Sequence, residues 1–162
     1  MEKASSPEKW QAKVSVTLTK AKPDQIWPLF TDFFNLNKWL PTLATCHGVQ
    51  GINGEPGCIR FCSGSSIRSN GVDSAVGWAK EKLVVVDPVE HVMRYEIVEN
   101  NIGFESYVST VKMLPRGEGC VIEWSFTVDP VGGCSLDDLV KKYEKALEVI
   151  AKNMEEALTI TS

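Results

Sequence analysis

The sequence predicts an α+β domain in which a curved, seven-stranded antiparallel sheet wraps around one long C-terminal helix. Two patterns support this prediction. Between residues 10 and 128, segments of alternating apolar and polar residues are separated by turns rich in glycine and proline, with two short helical pieces after the first segment. From residue 135 to residue 160, apolar side chains recur at every third or fourth position, which is helical spacing. A sheet with one solvated face and a helix against the other accounts for both patterns.

The first elements are a strand and two short helices. We expect residues 1–9 to form a flexible tail and residues 10–162 to form a single ligand-binding domain, of which "WQAKVSVTLTK" is the first strand. "KPDQIWPLFTDF" predicts a short helix, because Pro23 suits a first helical turn and Asp24 complements its positive end. Pro28 keeps this helix short or kinks it. "NLNKWL" predicts a second helical piece that ends before Pro41.

Six further strands follow, and each has one mainly apolar face. They are predicted in "ATCHGVQG", "GCIRFCSG", "AVGWAKEKLVVVD", "HVMRYEIVE", "FESYVSTVKML" and "CVIEWSFTVD". In "GWAKEKLVVVD", alternation places the lysines towards water and directs Ala79, Glu81, Leu83 and Val85 inward. Glu81 is the exception in this apolar row. A buried carboxylate needs a partner, a proton or a function, because an unpaired buried charge is costly.

The chain ends in the long helix, predicted at about residues 135 to 160. Ser135, followed by Asp138 three residues later, has the form of an N-cap, and Gly132 and Gly133 break the chain just before it. Its apolar stripe is expected to pack against the sheet as core. The stripe consists of Leu136, Leu139, Val140, Tyr143, Ala146, Leu147, Ile150, Met154 and Leu158.

Composition limits the classes of function. The chain has 162 residues and a net charge of −4, with acids and bases mixed along it, which disfavours nucleic acid as a partner. No apolar run approaches the ~20 residues of a membrane span, so we expect no integral membrane association. The N-terminus lacks the apolar core of a signal peptide, and a cytoplasmic location is therefore expected.

The five cysteines are interpreted as structural, reduced thiols. They are Cys46, Cys58, Cys62, Cys120 and Cys134. Their odd count and the missing secretion signal disfavour a disulfide framework. Cys58 and Cys62 lie about 13 Å apart along one predicted strand, which is too far for a disulfide. With only His47 and His91 as further ligands, no zinc spacing is present, so we predict no metal and no cofactor.

Four motifs carry a resemblance to a known family. "FTDFFNLNKWLP", "GCIR", "WAKEKL" and "EWSF" resemble the corresponding segments of plant lachrymatory-factor synthases and their homologues, in the START-like, birch-pollen-allergen-like superfamily (polyketide cyclase/dehydrase and lipid transport). This resemblance implies the helix-grip fold and an internal cavity for a small hydrophobic plant metabolite. The same side chains would equally fill a packed core. The predicted lining is Phe30, Phe34, Trp39, Tyr95, Trp124, Phe126, Tyr143 and Leu147.

The resemblance also implies three catalytic residues. In the synthases, an arginine and a glutamate act on the substrate, with a tyrosine nearby. "GCIR" matches that arginine with Arg60, "WAKEKL" matches the glutamate with Glu81, and "ESY" matches the tyrosine with Tyr107. Strand alternation alone leaves the orientation of Arg60 open. An Arg60–Glu81 pair would offset the burial of both charges, although such a pair can also be purely structural.

Two classes of function follow from this resemblance. The first is an isomerase that works by proton transfer, as the synthases do when they convert an alkenyl sulfenic acid to a thial S-oxide. The second is a non-catalytic carrier or sensor of a hydrophobic ligand such as a lipid, hormone or specialised metabolite.

Abscisic acid receptors belong to the same superfamily, but this chain departs from their hormone-binding motifs. The gate position reads "SGSSI" (Ser63 to Ile67) and the latch position reads "IGF" (Ile102 to Phe104). The lysine that pairs with the hormone carboxylate is missing from "LPTLATC". Hormone reception by that mechanism is therefore not expected.

Overall fold

The computed structural model describes residues 8–64 and 76–160. The expected tail up to residue 7 and the gate residues 65–67 therefore lie outside the described residues. A short 3₁₀ helix at Phe33–Lys38 follows the first α-helix. The other elements are β1 (Trp10–Leu18), α1 (Pro23–Thr31), β2 (Thr45–Gln50), β3 (Ile59–Ser63), β4 (Trp78–Asp87), β5 (Val92–Asn100), β6 (Val108–Arg116), β7 (Gly119–Val128) and α2 (Leu136–Ile160).

The strands form one curved antiparallel sheet, and α2 packs on its inward face. The strand order is β1-β7-β6-β5-β4-β3-β2, so β1 and β2 are the two edges. Inward side chains of the sheet, such as Val14 and Ile122, share one buried cluster with Leu147, Ile150 and Met154 of α2. The predicted fold class, a seven-stranded sheet around a long C-terminal helix with two short helices after the first strand, is confirmed.

The ends of the helices follow the local sequence signals. Pro23 opens α1 and Pro28 lies inside it, and the helix is only nine residues long. At the start of α2, the Ser135 hydroxyl accepts a hydrogen bond of 3.1 Å from the backbone N–H of Asp138, which confirms the predicted N-cap.

The prediction of which β4 side chains point inward is wrong in the second half of the strand. Ala79, Glu81 and Leu83 are buried as expected, but Val85 is 39% exposed. The pairing of β4 with β5 has a register irregularity between Leu83 and Val85. The extra residue reverses the alternation, so Val86 rather than Val85 packs against the core.

The 3₁₀ helix is held against the turn between β2 and β3 by polar contacts at its N-terminal end. The Asp32 carboxylate accepts hydrogen bonds from the side-chain amides of Asn35 (2.6 Å) and Asn53 (2.7 Å). Asn53 in turn accepts the backbone N–H of Phe34 at 2.9 Å. A Cβ at Gly48 would lie 2.2 Å from the Phe34 ring, so the close approach of the 3₁₀ helix to β2 requires glycine there. These contacts place the 3₁₀ helix against β2 and the turn between β2 and β3.

None of the helices in the described ranges is both long and apolar enough to cross a membrane.

Candidate functional site

Arg60 and Glu81 form a buried ion pair on the inward face of the sheet, between β3 and β4. Arg60 on β3 lies directly opposite Glu81 on β4 in the strand register. Arg60 Nε donates a hydrogen bond to Glu81 Oε1 at 2.7 Å. The side chain of Arg60 is only 3% exposed, whereas that of Glu81 keeps 11% exposure. The pairing therefore settles the orientation of Arg60, which strand alternation left open.

The other contacts of Arg60 fix its position. Its Nη1 donates to the carbonyl of Phe33 at 2.8 Å, and its guanidinium carbon lies 3.7 Å from the centre of the Phe33 ring. The Tyr95 ring lies 5.2 Å away on another side. Burial by itself would lower the pKa of Arg60, but the adjacent Glu81 carboxylate raises it above its usual value. Arg60 is therefore a permanent, rigidly held cation.

A small internal cavity lies against this pair. Its volume is about 70 Å³, below the roughly 300 Å³ at which sites for drug-sized ligands begin. The sheet, the chain that follows α1 and the helix α2 each supply part of its wall. The lining residues are Leu36, Leu40, Leu43, Arg60, Cys62, Glu81, Tyr95, Trp124, Lys142, Tyr143 and Ala146.

A larger groove of about 550 Å³ lies elsewhere, on the surface between β1 and α2. Its lining includes the charged side chains of Lys20, Glu148, Lys152 and Glu155, and the buried ion pair is not part of it. We take the smaller cavity as the candidate site, because it joins apolar walls to convergent buried charges.

The predicted lining is partly brought together at this cavity. Tyr95, Trp124 and Tyr143 line it. Phe30, Phe126 and Leu147 are instead buried within the packed core, and Phe34 and Trp39 are half-buried against that core. For these five side chains, the structure favours the packed-core interpretation over direct lining of the cavity.

Tyr107, the third predicted catalytic residue, lies one layer behind the cavity. It is buried and absent from the lining, but its hydroxyl is hydrogen-bonded to that of Tyr143, which does line it. Burial raises the pKa of both phenols well above the usual value, so each is a neutral hydroxyl at physiological pH. The role of Tyr107 on a substrate stays a prediction.

Several lining residues were missed by the sequence analysis. Leu36, Leu40 and Leu43 recur at spacings of four and three, a usable helical signal that begins within "NLNKWL". Lys142 gave no such signal, because a lysine between two apolar positions of a helix is usually on the solvated face. Cys62 was assigned to a structural role, and its place on the cavity wall depends on the register of β3 with β4.

Comparison with known proteins agrees with this fold. A family model described as "Polyketide cyclase / dehydrase and lipid transport" matches residues 9–159. The structure is similar to major latex-like protein 151 from Panax ginseng, with 19% sequence identity and a TM-score of 0.72 over 92% of this chain and 97% of that chain. It is also similar to an uncharacterised protein from Bacillus thuringiensis, with 19% identity and a TM-score of 0.69 over 90% and 98% of the two chains.

The protein XoxI from Bacillus cereus is similar as well, with 20% identity and a TM-score of 0.64 over 92% of this chain and 94% of that chain. At these identities the structural matches establish the helix-grip fold alone. The family model, in contrast, spans nearly the whole chain. The protein therefore belongs to the polyketide cyclase/dehydrase and lipid transport family.

Proposed function

We propose that this protein binds a small, largely apolar metabolite in the internal cavity and isomerises it by proton transfer through Glu81. The observation that carries this proposal is the ion pair of Arg60 and Glu81 on the wall of an otherwise mainly apolar cavity. A pair that served stability alone would gain little over an apolar pair of similar volume, because burial costs both charges their hydration.

Both members of the pair line the cavity and keep hydrogen-bonding capacity that their mutual contact does not use. Arg60 uses Nε for Glu81 and Nη1 for the Phe33 carbonyl, and its Nη2 has no hydrogen-bond partner among residues 8–64 and 76–160. Within the same ranges, Glu81 Oε2 likewise has no hydrogen-bond partner. Arg60 can therefore hold a substrate oxygen while Glu81, the more exposed of the two, exchanges a proton with the substrate.

The chemistry follows the resemblance to lachrymatory-factor synthases. An alkenyl sulfenic acid has an O–H group and a carbon–carbon double bond next to sulfur. The Glu81 carboxylate takes the O–H proton, and Arg60 stabilises the oxyanion that develops. Glu81 then returns the proton to the alkene carbon β to sulfur, so that a thial S-oxide forms and the carboxylate is regenerated. No atom or electron is gained or lost overall.

The size of the cavity favours a small substrate over a lipid. A volume of about 70 Å³ suits a molecule with a short carbon chain, whereas a fatty acyl chain would require the walls to move apart. The Tyr143 hydroxyl, held by Tyr107, adds one neutral polar group to the wall contributed by α2.

The proposal is tested by direct turnover. An alkenyl sulfenic acid, released in situ from its S-alkenyl cysteine sulfoxide by a separate lyase, is supplied to the full-length protein in D2O. The thial S-oxide is then measured by gas chromatography and mass spectrometry. We expect product with one deuterium on the carbon β to sulfur, and a decrease of about 10² to 10⁴ in kcat for Glu81→Gln.

The matched control is Glu99→Gln, which removes a carboxylate from the adjacent strand. Glu99 pairs with Lys80 on the solvated face at 3.1 Å and is 60% exposed, so this variant should retain wild-type turnover. If Glu81→Gln turns over at the wild-type rate, Glu81 does not carry the proton. Melting temperatures of all variants separate a loss of chemistry from a loss of folding.

A carrier is the second candidate function, and the apolar majority of the lining favours it. In that case, the wild type would bind small apolar compounds with one-to-one stoichiometry and would convert none of them. Arg60 and Glu81 would then serve as the polar anchor for the ligand. Binding in calorimetry, together with no product in the turnover assay, would assign the protein to this class.

A further inference from the structure

We propose that Cys46 and Cys62 are a redox-active dithiol that hydrogen peroxide converts to a cross-strand disulfide on the cavity wall. Cys46 on β2 lies directly opposite Cys62 on β3 in the strand register. Both are free thiols, and their sulfur atoms are 3.6 Å apart. This inference goes beyond the proposed function and does not depend on it.

The geometry allows closure with a small movement. Opposite residues of an antiparallel pair have Cβ atoms about 4.5 to 5.5 Å apart, and a disulfide needs about 3.5 to 4.5 Å. The required approach is therefore about 1 Å. β2 is an edge strand of six residues, so in the described part of the chain it pairs on one side only, with β3. That pairing is itself irregular between Gly48 and Gln50. An edge strand of this kind can shift towards its neighbour more readily than a central one.

The surroundings divide the two thiols into an attacking and a resolving group. Cys46 is half-buried and Cys62 is 1% exposed, so peroxide meets Cys46 first. The hydrogen bond from the Cys62 thiol lowers the pKa of Cys46 to about 6, with smaller contributions from the charge of Arg60 and from backbone N–H groups of the 3₁₀ helix. The same hydrogen bond and burial raise the pKa of Cys62. At neutral pH, Cys46 is therefore the thiolate and Cys62 its neutral donor.

The reaction balances with peroxide as the oxidant. The Cys46 thiolate attacks one peroxide oxygen, so that an S–O bond forms, the O–O bond breaks and hydroxide leaves. The sulfur of Cys62 then attacks Cys46, so that an S–S bond forms and the S–O bond breaks. The departing hydroxide leaves as water with the proton of Cys62. Two thiols lose two electrons and two protons in total, and one peroxide becomes two waters.

The disulfide would alter the site described above. Cys62 lines the cavity, and its sulfur lies 3.9 Å from Glu81 Oε1. A bond to Cys46 draws this sulfur towards β2 and joins the edge of the sheet to the cavity wall. Oxidation therefore changes the space beside the carboxylate, whatever ligand occupies it.

The test uses the full-length protein, reduced and then freed of reductant. One equivalent of hydrogen peroxide should lower the intact mass by the mass of two hydrogens. Trypsin leaves Cys46 and Cys58 in one peptide, so digestion also needs a prolyl endopeptidase, which cleaves after Pro56. The expected product links the peptide of Cys46 to that of Cys62. A link through Cys58 would overturn the proposal, and so would stepwise addition of oxygen without any link.

Cysteine variants test which two thiols form the disulfide, without relying on mass measurements of the wild type. Cys62→Ser should stop at a sulfenic acid on Cys46, which dimedone labels, and Cys46→Ser should form no internal disulfide. Cys134→Ser is the matched control, because Cys134 is also half-buried, and it should form the disulfide as the wild type does. If the cysteine variants fail to fold, the rate of alkylation of each thiol in the reduced wild type tests the proposal. Cys46 should react faster than Cys134. Equal or slower labelling of Cys46 would overturn the proposal.

Discussion

Arg60 Nε and Glu81 Oε1 are joined at 2.7 Å between directly opposite positions of β3 and β4, with both side chains withdrawn from bulk water. Removal of one partner leaves the other as an unpaired buried charge. We therefore expect Arg60→Met to lower the free energy of unfolding by about 3 to 5 kcal/mol.

The double variant Arg60→Met/Glu81→Leu is the control for this prediction. It removes both charges, so its stability in urea denaturation should return to within about 1 kcal/mol of the wild type or exceed it. If the double variant were as unstable as the single one, the packing of Arg60 on the Phe33 ring, rather than charge pairing, would be the dominant contribution.

The hydroxyl pair of Tyr107 and Tyr143 gives a second prediction. Either Tyr→Phe change leaves the opposite buried hydroxyl without its partner, which should cost about 1 to 3 kcal/mol, and the double change should cost less than the sum. In the turnover assay, Tyr143→Phe should have the larger effect on KM, because Tyr143 lines the cavity and Tyr107 does not. A larger effect of Tyr107→Phe would mean that the cavity extends to the Tyr107 hydroxyl when substrate binds.

Peroxide oxidation of Cys46 should depend on pH in a defined direction. A lowered pKa means that the thiolate is populated above about pH 6 and is lost by protonation below it. The rate of disulfide formation should therefore rise with pH through a midpoint near 6 and level off towards neutrality. Stopped-flow measurement of peroxide consumption checks this.

Cys62, the partner of Cys46, lies on the wall of the candidate-site cavity. The other ionisable side chains on this wall are Arg60, Glu81, Tyr95, Lys142 and Tyr143. Burial, and then the charge of Glu81, raise the pKa of Tyr95, which therefore stays neutral across this range. A midpoint near the usual cysteine value of about 8.5 would contradict activation of Cys46 by its neighbours.

Abscisic acid should leave the melting temperature unchanged. Ile102 and Phe104, at the latch position, are 2% and 8% exposed, and Asn100 accepts the backbone N–H groups of both. Phe104 also stacks on Tyr107, so this segment is already bound into the core. A ligand at a hundred times its Kd stabilises by about 2.7 kcal/mol, which corresponds to several degrees in a protein of this size. A clear upward shift in differential scanning fluorimetry would contradict this prediction.

The N-cap of α2 gives a prediction of stability alone. Ser135→Ala removes the acceptor for the backbone N–H of Asp138 and should lower the free energy of unfolding by about 1 kcal/mol. Ser15→Ala, at an exposed position of β1, is the control and should stay within about 0.5 kcal/mol of the wild type. Equal effects of the two changes in urea denaturation would mean that the cap hydrogen bond contributes nothing measurable.

Local patterns in the sequence were enough for the architecture and for the burial of Glu81. Alternation in "GWAKEKL" directed the carboxylate inward, and the apolar stripe from Leu136 to Leu158 predicted the helix that covers it. Such patterns work because each strand or helix has one face that must leave water, and that face can be recognised without knowledge of its partner. They failed at Val85, because a bulge depends on how two strands pair and not on either strand alone.

The tertiary structure decided which side chains meet. "GCIRFCSG" has apolar residues on both faces, so Arg60 was assigned inward only by its position opposite Glu81. The register of β2 against β3 placed Cys46 opposite Cys62. The position of the 3₁₀ helix and the chain after it put three leucines on the cavity wall. Phe34 and Trp39 packed against the core instead. Pairings and cavities arise where two or three elements meet, and their geometry depends on register and packing between segments far apart in the chain. The sequence by itself therefore determined the fold and the burial of the Glu81 carboxylate. Only the tertiary structure decided which side chains contact that carboxylate.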